Sequence, residues 1–195
     1  MSNKSKIPPI VIGLVGAGGS GKDTVASYLK RKYGAEEFRF SYLLDKALKI
    51  FHIEPSRENF IWLMLTLKEK FGEDVLTKAM AKTIIELSKS SMVIINGLRL
   101  PPDYDWIRSF KKNSLVYLVA PLETRWKRVR KRKEKTDDGV SLAKFKELNE
   151  TLTEKHIEDL GKKADYLIVN EGELKDLYQS IDKVVEKILR SSSPM

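Results

Sequence analysis

Short apolar runs and longer amphipathic stretches alternate along the chain. Residues 10–15, 92–95, 115–119 and 166–169 are rich in Val and Ile, with little polar alternation. That pattern predicts strands buried on both faces. Residues 38–40 form a shorter, weaker run of the same kind. In the gaps, apolar positions recur at helical spacing over 21–32, 42–51, 57–71, 73–89, 102–111, 122–133, 141–160 and 173–189. Strands separated by helices predict right-handed crossovers and a parallel sheet covered on both sides. The expectation is an α/β protein of about five strands. The least regular stretch, 133–140, is charged and contains Asp137-Asp138-Gly139, which predicts a mobile surface loop between two helices.

Composition narrows the class. The 195 residues include 36 Lys plus Arg and 27 Asp plus Glu, for a net charge of +9. A hydrophobic share of 42% and a charged share of 32% describe one globular domain, 1–195, and not a disordered chain. The absence of Cys excludes disulfides, thiolate metal sites and a cysteine nucleophile, and matches a reducing compartment. With only His52 and His156 present, a histidine-rich metal site is not expected, and neither His is assigned a role. The first nine residues are polar, and no apolar stretch approaches the ~20 residues of a membrane span. A soluble, cytoplasmic protein is the default expectation.

The most specific signal follows the first apolar run. In Gly16-Ala17-Gly18-Gly19-Ser20-Gly21-Lys22-Asp23-Thr24, Gly, four residues and Gly-Lys stand between a strand and a helical pattern. This is P-loop spacing in the strand–loop–helix context it requires. Glycines let the backbone curl so that successive N–H groups form an anion-binding nest. The following helix turns its positive dipole end toward the same phosphates, and Lys22 adds a point charge. One position departs from the motif: Asp23 stands where Ser or Thr normally contacts magnesium, and Thr24 comes one residue late. A carboxylate is a suitable hard ligand for Mg²⁺, directly or through water.

P-loop proteins usually carry a second carboxylate at the end of an apolar strand. Here the residue after the 92–95 run is Asn96, followed by Gly97. Asn96 could bond a metal-bound water without contributing charge, or it could simply open an Asn-Gly turn. Arg99 follows at the same strand end, the edge where open α/β sheets bind ligands, and would offer a planar fork to a phosphate. The 127–135 segment holds seven basic residues, one Glu and one Val. Three readings compete for it: a solvated helix face, a nucleic-acid patch, and a lid that clamps phosphate. Arg125, Arg128 and Arg132 fall at i, i+3 and i+7, on one helical face leading into the predicted loop, which favours the lid.

The segments 16–24, Phe40-Ser41-Tyr42-Leu43-Leu44 and Ile95-Asn96-Gly97-Leu98-Arg99-Leu100-Pro101 together resemble P-loop small-molecule kinases. The nearest likeness is to deoxynucleoside monophosphate kinases and related kinase-like ATPases. Ala120-Pro121 with Arg125 and Arg128 is similar to their pre-lid helix, and the segment 164–174 to their final strand and adenine-side loop. The resemblance spans about 10–188. It implies a P-loop NTPase fold, a three-layer α/β/α sandwich with five parallel strands in the order 2-3-1-4-5. It also implies a helical substrate insert at about 42–89 and a lid at about 125–141. Dephospho-CoA kinases share this architecture. They usually have Ser after the P-loop Lys and an acidic residue after the second strand, where this chain has Asp23 and Ser41.

Carried onto these positions, the resemblance implies transfer of the ATP γ-phosphoryl group, with Mg²⁺, to a small phosphorylated acceptor such as a nucleoside monophosphate. Gly16, Ala17, Gly18, Gly19, Ser20, Gly21 and Lys22 would hold the donor phosphates. Arg125, Asn170 and Gly172 would lie on the donor side. Asp23, Thr24 and Asn96 would organise the metal. Ser41, Arg57 and Arg99 would face the acceptor, although Arg57 equally suits a solvated helix start behind a Ser56 cap. Lys22, Arg99, Arg128 and Arg132 would act on the transferring group. Trp62, Met64, Leu65 and Leu67 are expected to pack rather than form a base pocket. A dephospho-CoA acceptor is the alternative, and a P-loop ATPase with a nucleic-acid-binding basic segment is the alternative of another class.

Overall fold

A computed structural model of the chain describes residues 10–132, 139–149 and 152–191. Five strands, β1 (Ile10–Val15), β2 (Glu36–Arg39), β3 (Met92–Leu98), β4 (Asn113–Val119) and β5 (Tyr166–Val169), form one sheet in the order β2-β3-β1-β4-β5. Every pairing is parallel; Ile12 lies opposite Ile94 on one side and Ser114 on the other. The helices are α1 (Lys22–Tyr33), α2 (Phe40–Ile50), α3 (Arg57–Phe71), α4 (Val75–Leu87), α5 (Pro101–Arg108), α6 (Leu122–Arg132), α7 (Leu142–Asn149), α8 (Leu152–Lys162) and α9 (Leu174–Ser191). This is the α/β P-loop architecture. Helices α2, α3 and α4 occupy the connection between β2 and β3, where the insert was expected.

The inner strands β1, β3 and β4 lack polar alternation because both sheet faces are covered there. The edge strand β5, expected to be buried on both faces, buries only Ile168 and leaves Leu167 and Val169 exposed. On one face Ile12, Leu14, Ile94, Val116, Leu118 and Ile168 meet Val25, Ala26 and Leu29 of α1 and Leu177, Ile181 and Val185 of α9. On the other, Val11, Val15, Phe38, Val93, Ile95 and Leu115 meet Met80 and Ile84 of α4, Ile107 of α5, and Ile157 and Leu160 of α8. Each Val, Leu, Ile, Phe or Met among them contributes roughly 1.5–3 kcal/mol by leaving water. Gly161 of α8 sits directly against the Tyr117 ring, leaving no room for a Cβ.

Boundaries differ from the sequence expectation at several places, three of which have a clear physical cause. β2 begins at Glu36 and ends at Arg39, so Phe40 opens α2 instead of closing a strand. Ladder bonding to β3, not apolar content, sets this short edge strand. β3 continues through Asn96 and Gly97 to Leu98, because Asn96 pairs with both β1 and β2. The stretch 141–160 is two helices, α7 and α8; Asn149 turns its amide back to the Phe145 carbonyl (2.6 Å) as α7 ends. Residues 133–138 of the expected loop lie outside the described residues.

The connections diverge at the carboxyl end of β1. From β1 the chain passes to one side of the sheet through β2 and β3, then crosses β1 to reach β4 and β5. A divergence of this kind opens a crevice above the strand ends.

Candidate active site at the phosphate loop

The loop leaving β1 is held from outside by its carbonyl groups. Lys22 Nζ donates to the Gly16 and Ala17 carbonyls (2.6 and 2.9 Å), and the Ser20 amide also donates to Ala17 (3.2 Å). Arg125 Nη1 donates to the Gly18 carbonyl (3.4 Å), and Asn170 Nδ2 to the Ser20 carbonyl (2.8 Å). Ser20 is fully buried, and its Oγ has no hydrogen-bond partner. Two glycines are dictated by geometry. Gly19 has φ +80° and would place a Cβ 2.6 Å from the Arg125 carbonyl oxygen; Gly21 has φ +107° and would drive a Cβ into the Asn170 amide.

Beside the loop lies a polar cluster built from four elements, α1, β2, β3 and α6. Asp23, in the first turn of α1, accepts from Asn96 Nδ2 at 2.9 Å and pairs with Arg39 Nη1 at 3.2 Å. Arg132 Nη1 of α6 reaches the other Asp23 oxygen at 3.6 Å. The same Asn96 amide donates to Glu37 Oε1 (2.7 Å), which also accepts from Arg39 Nε and Nη2 (2.6 Å each). Asn96 is therefore a buried hub between two carboxylates, not the start of a turn. Thr24 follows Asp23 in the same turn and is partly buried.

Glu37 and Arg39 were not singled out in the sequence. Their signal is weak but present: in Glu36-Glu37-Phe38-Arg39 charged residues flank one buried aromatic, so one face of the edge strand is polar where it reaches the crevice.

The arginines of α6 converge as their spacing predicted. Arg125 also donates through Nε to the Ala120 carbonyl (3.1 Å) and through Nη1 to Asn149 Oδ1 (2.5 Å). Arg128 Nη2 donates to Asn170 Oδ1 (3.3 Å), while its Nη1 is buried with no hydrogen-bond partner. Arg132 ends the helix at Asp23. Arg99 stands just past β3, and its backbone amide, like that of Leu100, donates to Asp103 Oδ2 (2.8 and 2.9 Å). Burial pushes the Asp103 carboxyl above its ordinary pKa despite those two bonds. Ser41 is exposed in the first turn of α2. Arg57 is the first residue of α3, behind the Ser56 cap, and its side chain lies outside the described residues. Gly172, between β5 and α9, is exposed beside the Asp176 carboxylate. A cleft of about 440 Å³ opens next to the loop, lined by Ala17, Ser20, Tyr117, Arg125, Asn149 and Glu158 among others.

Among the described residues, no three or more His, Asp or Glu side chains gather as a metal cage. Asp23, bonded by Asn96 and followed by Thr24 in the same turn, instead suits a Mg²⁺ ion that keeps most of its waters.

A family model described as an AAA domain matches residues 12–145. The chain belongs to this AAA-domain family. UPF0200 protein MJ1399 of Methanocaldococcus jannaschii is 26% identical over 190 residues, covering 93% of this chain and 92% of its own length. A UPF0200 protein of Methanothermobacter thermautotrophicus is 29% identical over 181 residues, covering 92% and 90%. Among solved structures, shikimate kinase from Bacteroides thetaiotaomicron superimposes with a TM-score of 0.63 at 16% identity, covering 91% of this chain and 98% of that one. TT1252 from Thermus thermophilus gives 0.62 at 21% identity, covering 93% and 98%. At these identities the structural likeness establishes the fold. No helix among the described residues is long and apolar enough to cross a membrane.

Proposed function

We propose that this AAA-domain protein is an ATP-dependent phosphotransferase acting on a small phosphorylated acceptor, of which a nucleoside monophosphate fits best. The observation that carries the reading is the gathering of guanidinium groups around one phosphate loop, with Arg125 on Gly18, Arg128 on Asn170, and Arg39 and Arg132 on Asp23. Arg125, Arg128 and Arg132 arrive from α6, while Arg39 and Arg99 stand at the ends of β2 and β3. Phosphoryl transfer needs positioning and charge neutralisation more than covalent help, and these cations offer the neutralisation. The named kinases among the structural neighbours support the reaction class.

Lys22 leaves its two carbonyls to hold the donor phosphates with the loop amides. Arg99, joined by Arg57 and Ser41, holds the acceptor, and Arg128 and Arg132 stabilise the transferring group. Asp23 and Thr24 would hold Mg²⁺, with Asn96 orienting Asp23, and the bound ion would supply charge neutralisation to the phosphates. Gly172 borders the donor side. In this reading α2–α4 form the acceptor insert, and α6 with the segment after it, to about 141, forms the lid.

One observation favours a second reading. Glu37 supplies the carboxylate near the acceptor side that Ser41 does not, and a hydroxyl acceptor, as in a dephospho-CoA kinase, would use such a base. Arg39 reaches one Glu37 oxygen through both Nε and Nη2, which makes Glu37 a partner in a charge pair first, and this is why the phosphate acceptor is preferred.

The experiment is an ADP-release assay with ATP, Mg²⁺ and a panel of nucleoside monophosphates, dephospho-CoA and oligonucleotides. Release that depends on a monophosphate is expected. Release that depends on dephospho-CoA selects the second reading, and release driven only by oligonucleotide overturns both.

A further inference from the structure

The resemblance implies that Asn170 lies on the donor side, and its side chain is buried against the phosphate loop. It sits immediately after β5, its backbone amide donating to the Val119 carbonyl (2.8 Å), which extends the β4–β5 ladder by one bond. Its amide nitrogen donates to the Ser20 carbonyl of the phosphate loop, 150 residues away in sequence (2.8 Å), in a buried contact. Its amide oxygen accepts from Arg128 Nη2 of α6 (3.3 Å). It also packs so closely on Gly21 that no Cβ fits there. Its side chain thus touches the loop and the arginine helix, while its backbone is tied to β4.

The bond to Ser20 has a definite consequence for the loop. A trans peptide holds its C=O and the following N–H in opposite directions. Fixing the Ser20 carbonyl toward Asn170 therefore turns the Gly21 N–H away from Asn170. Gly21, with φ +107°, is the residue that caps α1, and N–H groups at such a turn are what an anion-binding nest uses. The bond to Arg128 acts on the second element: with Nη2 engaged by Asn170, Nη1 is left buried without a partner, oriented but unspent. An unsatisfied buried donor is costly, so its retention points to a ligand group that completes it.

We propose that Asn170 is a positioning residue for the donor nucleotide. It sets the Ser20–Gly21 peptide for phosphate binding and, through the same amide, ties that setting to Arg128. The inference rests on the donor-nucleotide reading above. It assigns Asn170 no contact with the base and predicts that the phosphates, not the adenine, feel its loss.

Calorimetric titration of ADP and of AMP into the full-length protein tests it, with Asn170→Ala, Asn170→Asp, Arg128→Ala and the Asn170→Ala/Arg128→Ala double variant. Thermal unfolding of each variant is measured alongside. Asn170→Ala leaves a buried carbonyl unbonded and should weaken ADP about 5-fold to 100-fold, with the acceptor KM at saturating ATP unchanged. Asn170→Asp keeps the size and still accepts from Arg128, yet it sets a carboxylate against the Ser20 carbonyl. It should weaken ADP at least as much as Asn170→Ala. The double variant should lose less than the product of the two single losses, since both singles break one network. AMP binding at the donor site should change less than ADP binding.

If Asn170→Asp binds ADP as the unaltered protein does while Arg128→Ala does not, the loop tie is wrong. If both Asn170 variants melt lower but bind ADP normally, the residue is structural only, and the proposal falls. Failure of the unaltered protein to bind ADP would instead remove the donor-nucleotide reading, and this inference with it. Asn170→Asp, isosteric with the native residue, carries the test if Asn170→Ala does not fold.

Discussion

Asp23 and Asn96 exchange the chemistry that P-loop proteins usually place at these two points. The hydroxyl position after the P-loop lysine carries the carboxylate, and the strand-end carboxylate position carries an amide that bonds it at 2.9 Å. Asp23→Ser should therefore weaken the Mg²⁺ dependence of ADP binding while metal-free binding is largely kept, and Asn96→Asp added to it should restore much of the loss. A Mg²⁺ titration of the single and double variants checks this, and identical titrations would make Asp23 structural. Lys22→Ala should abolish turnover without unfolding the chain, because it removes a charge from a partly buried loop and no core packing; circular dichroism and the ADP-release assay measure the two parts. Arg99→Ala should raise the acceptor KM about 10- to 150-fold, the effect of losing a hydrogen bond to a charged group. Donor affinity should change little in that variant. At this scale the phosphate loop was fully legible, since a loop that binds backbone-first must advertise its glycines and its lysine. Glu37 and Arg39 were not, because a four-residue edge strand carries too little pattern to say which face of it meets the site.

Elements were legible wherever burial alone decided them. The interior strands and the long helices follow apolar spacing, while β2, the end of β3 and the break between α7 and α8 depend on pairing and side-chain bonding that spacing does not encode. The α1–α9 contact is a second example. Asp182 of α9 accepts from Tyr28 and Tyr33 hydroxyls (2.8 Å each) and from Lys32 (2.7 Å), and Tyr28 stacks on Tyr178 with centroids 4.0 Å apart. Burial would push the Asp182 carboxyl up, but the bonds from Lys32, Tyr28 and Tyr33 outweigh it and hold it below its ordinary value. Burial, reinforced by Asp182, pushes the Tyr33 phenol up to about 12. A carboxyl with a lowered folded pKa stabilises the fold above its unfolded pKa, and that contribution is lost as pH falls through the folded value. Tyr33 works at the other end: its contribution is present below the phenol's ordinary pKa and is lost as pH rises toward about 12. Asp182→Ala should cost about 1–3 kcal/mol near neutrality by stranding partly buried hydroxyls. It should also flatten the acid side of the stability profile, and denaturant unfolding over a pH series measures both effects. An unchanged acid limb would assign the pH dependence to other carboxylates.

The whole molecule places the +9 charge in tension with a small-molecule site. A basic surface attracts any polyanion, so retention on nucleic acid would not tell a kinase from a nucleic-acid-dependent ATPase. The proposed small-molecule reading rests on where the arginines of α6 reach: Arg125 to Gly18 of the loop, Arg128 to Asn170, which is itself bonded to Ser20, and Arg132 to Asp23. A ligand that spans donor and acceptor sites would draw β1, α1, α6 and the end of β5 together, and its binding energy would appear as stability. At a concentration a thousandfold above its dissociation constant, such a ligand adds about 4 kcal/mol to the folded state. For a chain of this size that raises the unfolding midpoint by roughly 8–16 °C. An analogue joining adenosine to a nucleoside through a polyphosphate should therefore raise the midpoint well beyond ATP at the same concentration. Lys22→Ala should remove most of that shift, and a short single-stranded oligonucleotide should leave the midpoint nearly unmoved at moderate salt. A larger shift with the oligonucleotide than with the analogue would mean that the α6 arginines serve a strand and not a second nucleotide.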